Sequence, residues 1–110
     1  MPNDAFTQQA LAADPRFQLR VRNALMKIAW QVLNEAPTVA GHTQRATYAR
    51  QVLGTPDTYA KELAKSLTTR TNLLAFATTY DFTQGAVVTA SADADIESQL
   101  STDWNGLAGV

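Results

Sequence analysis

The stretch from Asp14 to Glu35 constrains this chain more than any other. Asp14-Pro15 is a helix-start signal: a carboxylate that can accept the unpaired amides of a first turn, then a residue whose fixed φ suits the first helical position. Phe17, Val21, Leu25, Ile28 and Val32 then recur at spacings of four and three, while Arg16, Arg20, Asn23, Lys27 and Gln31 repeat as a polar stripe. A helix this long with one apolar side has to bury that side, so the remaining segments are expected to supply helices that cover it. Pro37 disfavours helical geometry at Ala36, which places the stop near Glu35. Trp30 lies off the main stripe and is expected to widen the core face.

Four further segments read as helix. Asp4 can cap a short first helix running to about Ala12. Past the Pro37–Gly41 loop, His42 or Thr43 opens a helix carrying Ala46, Ala49, Val52 and Leu53, ended by Gly54. Thr55-Pro56-Asp57 repeats the cap, the proline and an acid in the first turn, which suits the helix dipole. That helix predicts a run to about Tyr80, with Tyr59, Leu63, Leu67, Leu74 and Ala77 on one side and Leu73, Phe76 and Tyr80 widening it. Asp81–Ser91 breaks the pattern, because Gly85 precedes the β-branched Val87-Val88-Thr89, and predicts an extended arm or short strand that orders against a neighbour on assembly. Ser91 or Asp93 caps a last helix with Ile96, Leu100, Trp104 and Leu107 on one face. The fold class expected is all-α: one domain over residues 1–110, a small bundle of four or five helices with one arm or strand, 81–91, before the C-terminal helix. The best-ordered core is expected from Phe17, Val21, Leu25, Ile28, Leu63, Leu67 and Leu74.

Composition narrows the chemistry. With 110 residues, 45% of them hydrophobic and 17% charged, the chain is globular and large enough for one modest core. It has no cysteine, so disulfides, thiolate metal sites and cysteine nucleophiles are excluded, and an intracellular setting fits best. Met1-Pro2-Asn3-Asp4 has neither the basic nor the apolar part of a signal peptide, and Leu73–Ala77, the longest apolar run, is too short to cross a bilayer, so no membrane is expected. The single histidine, His42, has no second histidine for a metal or triad and reads as a solvent-facing residue at a helix start. The five glycines do not have phosphate-loop spacing. Asp93 and Glu97 have the i, i+4 spacing of a metal or acid/base pair, but with Asp95 between them they read as a solvated helix start. No cofactor, metal or catalytic residue is expected.

Charge is segregated. Residues 16–70 hold all nine basic residues against Glu35, Asp57 and Glu62, whereas residues 71–110 hold Asp81, Asp93, Asp95, Glu97 and Asp103 with no base. A basic middle and an acidic end suit head-to-tail packing of copies, although the same asymmetry can be neutralised inside one fold. The expected interface sets Asp93, Asp95, Glu97 and Trp104 of the last helix against Arg16, Arg20, Lys27, Lys61 and Lys65, with Trp104 as the apolar anchor if it is not core. The basic residues also allow non-specific DNA contact, and the Gly54-Thr55-Pro56 turn has the length of a helix-turn-helix. Asp57 and Glu62 oppose that reading, since they would sit at the start of the recognition helix.

His42-Thr43-Gln44-Arg45-Ala46-Thr47-Tyr48-Ala49-Arg50-Gln51-Val52-Leu53, then Pro56-Asp57-Thr58-Tyr59-Ala60, then Asp93-Ala94-Asp95-Ile96 and the ending Trp104–Val110 together make up about a quarter of the chain. In these parts it resembles the small helical structural proteins of tailed-bacteriophage heads and necks. The resemblance carries no diagnostic motif and no functional residue. It implies a virion structural protein of the head-tail connector or adaptor type, a homo-oligomeric ring that meets portal or other virion proteins, found in the virion and, during assembly, in the host cytoplasm. Capsid decoration and a helix-turn-helix DNA-binding regulator are the alternatives.

Overall fold

The computed structural model describes residues 5–70, 80–84, 86–87 and 91–108. Among them are five helices: α1 (Ala5–Ala13), α2 (Pro15–Leu33), α3 (His42–Gly54), α4 (Pro56–Leu67) and α5 (Ser91–Ala108). A two-stranded antiparallel hairpin, β1 (Tyr80–Asp81) and β2 (Ala86–Val87), precedes α5, with Tyr80 opposite Val87 and Asp81 opposite Ala86. The all-α expectation therefore holds.

Helix α2 is the axis of the bundle, and α1, α3, α4 and α5 all pack against it. Its start follows from Asp14, whose backbone is extended and whose Oδ1 accepts the Arg16 amide at 2.8 Å. Phe17, Val21, Leu25, Ile28 and Val32 are all buried, joined in one cluster by Leu63 and Leu67 of α4, Ala49 and Val52 of α3, and Ile96, Leu100 and Trp104 of α5. Six of the seven core residues expected from periodicity are in place; Leu74 lies outside the described residues, as do Asp4, Leu73, Phe76, Ala77, Val88, Thr89 and the last two residues, and so does the side chain of Leu107.

Two expectations need correction. Helix α4 stops at Leu67, far short of Tyr80. The Thr68 and Thr69 hydroxyls donate back to the Lys65 and Ser66 carbonyls at 2.9 and 2.7 Å, and the Thr69 and Arg70 amides turn to carbonyls three residues back, which closes the helix in a tight turn. Trp30 does not widen the core: it is 55% exposed, because its position on α2 faces away from the buried Phe17–Val32 stripe.

Within 81–91, Asp81 and Ala86–Val87 are strand, the second of the two expected forms, residues 82–84 turn between them, and Ser91 already belongs to α5. Asp81 Oδ1 accepts the Thr83 and Gln84 amides at 2.9 and 3.3 Å, the local turn that favours Asx residues. The hairpin is tied to the body by Arg16, which donates to the carbonyls of Phe82 and, at 3.1 Å, Thr83. Tyr80 stands edge-on to Phe17, ring centroids 6.0 Å apart.

Between α2 and α3, Gly41 adopts φ +75°, which glycine takes without the steric penalty of a Cβ. His42 is half-buried, not solvent-facing, and its Nε2 lies 3.0 Å from the Val32 carbonyl, so it satisfies one of the last carbonyls of α2. Arg45 reaches back to Glu35 at 2.7 Å and closes the loop.

Candidate assembly surfaces

Of the nine residues expected to form an interface, most are used within the chain. Arg20 Nη1 lies 2.7 and 2.6 Å from the two carboxylate oxygens of Asp93, and Lys27 Nζ lies 3.0 Å from Glu97. Because Arg20 meets Asp93 and Lys27 meets Glu97, α5 runs in the same sense as α2. The segregated charges thus form one seam inside a single molecule. Arg16 is likewise engaged with Asp14 and the hairpin.

Trp104 is buried, 3% exposed, against Tyr48 of α3 with ring centroids 4.9 Å apart; Tyr48 in turn meets Tyr59 edge-on at 5.5 Å. It anchors α5 to the core. Lys65 lies 3.7 Å from Glu62 with both side chains mostly in water, a pair of little energetic weight. Lys61 and Asp95 are exposed and unpaired among the described residues, and Lys61 borders a groove of about 330 Å³ between α2 and α4, lined also by Pro15, Leu19 and Ala60. Asp57, in the first turn of α4, is held by Arg22 at 3.3 Å and puts a carboxylate where a recognition helix would meet DNA.

Asp14 and Tyr80 both have perturbed local chemistry. Burial works against the ionisation of Asp14, but hydrogen bonds from the Arg16 side chain and from the Arg16 and Phe17 amides outweigh it and hold the carboxyl below its ordinary value. Burial pushes the neighbouring Tyr80 phenol up to about 12, with the Asp14 charge adding to it. Both groups sit at the joint of α1, α2 and the hairpin, where they are structural. Among the described residues no group of three or more His, Cys, Asp or Glu could hold a metal ion, and no helix is long and apolar enough to cross a membrane.

The surface that sequence reasoning missed is the outward side of α2. Leu19 is 47% exposed and Trp30 55%, with Met26 half-buried between them, whereas Leu33 further along packs against the core. The signal was present: Met26 follows Leu19 by seven and Trp30 follows Met26 by four, a second, shorter apolar stripe away from the first. Comparison with known proteins finds no matching family model, no matching curated protein and no matching solved structure.

Proposed function

We propose that this chain is a non-enzymatic assembly subunit that works by packing against other protein chains, as a head-tail connector or adaptor of a tailed-bacteriophage virion. Trp30 carries the assembly reading. A small domain that leaves an indole more than half in water, on the same helix face as an exposed leucine, keeps apolar surface where protein contacts concentrate their binding energy. The phage placement rests on the sequence resemblance, with capsid decoration as its rival within the same class.

The test is ultracentrifugation and electron microscopy of the purified chain, alone and mixed with the portal and tail proteins encoded beside its gene. Rings, or complexes with a multi-copy partner, are expected. A chain that stays monomeric at every concentration and binds none of them overturns the reading. Strongly salt-dependent binding to duplex DNA in place of protein assembly moves it to the regulator class.

A further inference from the structure

We infer that the β1–β2 hairpin is a strap which Arg16 clasps onto α2, and that it opens as a unit while the helical bundle stays folded. This goes beyond the assembly reading and does not depend on it, because a monomer can carry such a device.

A hairpin with two residues in each strand has too short a ladder to stand alone, so its place is set by what holds it to the bundle. Among its described side chains Tyr80 is buried, Asp81 is half-buried, and Phe82, Thr83 and Gln84 in the turn are exposed. Two adjacent residues of α2 meet it. Phe17 takes the Tyr80 ring edge-on, and Arg16 grips the turn, with Nη2 donating to the Phe82 carbonyl and Nη1 to the Thr83 carbonyl at 3.1 Å.

Arg16 is aimed from its other side by Asp14. The carboxylate accepts Nε and Nη2, both at 3.2 Å, while it also takes the Arg16 amide as the cap of α2. The guanidinium thus lies between a buried carboxylate fixed at a helix start and an exposed turn, so the turn is the partner that leaves. The Arg16 side chain is 46% exposed, and water competes for each bond it makes to the hairpin. Phe17, Val21 and Leu25 beside it are fully buried. A segment with few buried apolar groups and wet hydrogen bonds opens before such a core does. Opening uncovers the edge of Phe17 and presents Tyr80 and Phe82, whose rings stand edge-on 5.1 Å apart in the closed form.

Chymotrypsin, which cuts after aromatic residues, reads the opening at Phe82, with the cut identified by mass. Arg16→Gln, at an exposed position outside the core, is expected to speed this cut roughly tenfold or more while the helical circular dichroism is unchanged. Arg16→Lys keeps the charge but loses the planar fork that spans Asp14 and two carbonyls, and it should speed the cut as well. Lys27→Gln breaks an exposed ion pair of the same helix away from the hairpin and should cut like wild type. In wild type, the rate of this cut should rise far less steeply with urea than helix loss does, because opening the strap exposes little surface. An unchanged rate in both folded Arg16 variants, an equal rise in Lys27→Gln, or a cut that follows urea as steeply as helix loss overturns the strap.

Discussion

The two tryptophans divide the molecule into a closed region and an open one. Around Trp104, α5 lies on α2 and α3 with Ile96 and Leu100 buried beneath it, Tyr48 against the indole, and Arg20–Asp93 and Lys27–Glu97 along the edge. Around Trp30, on the far side of α2, the same residue type stands 55% exposed. The difference teaches that a helix end rich in acid and an indole near a terminus do not mark an interface when the complementary cations sit on the axis helix of the same chain. Opposite charges within one sequence find each other first inside the fold, where no second copy has to be recruited.

The sharpest way to break this contrast is to truncate both indoles. Trp104→Ala is expected to lower unfolding stability by about 3–5 kcal/mol, whereas Trp30→Ala should stay within about 0.5 kcal/mol, both by urea denaturation. Leu25→Ala, at a fully buried position of the axis helix, should cost about 2–5 kcal/mol. A destabilising Trp30→Ala beside a neutral Trp104→Ala would invert the assignment.

A smaller effect separates the closed region's entrance. Asp14 caps α2 and its carboxyl is held below the ordinary value, so it contributes stability that is present above the unfolded-state pKa and lost as pH falls through the lower folded one. Asp14→Asn should therefore be less stable than wild type by about 1 kcal/mol near neutrality, with the gap closing below about pH 4. A gap that persists unchanged to pH 2 would mean the charge of Asp14 is irrelevant to it. Gly41→Ala, at φ +75°, should cost about 1 kcal/mol in thermal unfolding while leaving self-association unchanged, since it lies away from the stripe.

The edge charges should matter least. Exchanging the seam pair as Arg20→Asp with Asp93→Arg is expected to restore most of the stability lost by either single change, within about 1 kcal/mol overall, and added salt should shrink the single-mutant losses. If the seam instead joined copies, the double exchange would leave monomer stability untouched and alter only assembly.

Much of this fold is legible in the residues. Asp14-Pro15 and the period of Phe17 to Val32 each specify local geometry that nothing later overrides; Pro56 opens α4 as expected, but the Thr55 hydroxyl donates to the Gln51 carbonyl at 3.3 Å and does not cap the helix. The end of α4 was not legible, because the apolar residues continue past Leu67 and the stop depends on two threonine hydroxyls choosing backbone carbonyls. The direction of the charge pairing was equally hidden: it depends on α5 lying parallel to α2, a long-range arrangement that segment charges do not encode. The outward stripe was visible as a spacing of seven and then four, yet on a helix with one strong apolar face a second stripe is read as the margin of the first.

The central claim is that Trp30, not Trp104, is the side chain that meets another chain, and fluorescence quenching of single-tryptophan variants tests it most directly. In Trp104→Phe, which retains only Trp30, acrylamide should quench a red-shifted emission steeply at low protein concentration and progressively less as concentration rises and copies assemble. In Trp30→Phe, the remaining Trp104 should emit to the blue and resist quenching at every concentration. Quenching of Trp30 that does not change with concentration, or a Trp104 that is the one to become protected, would contradict the account.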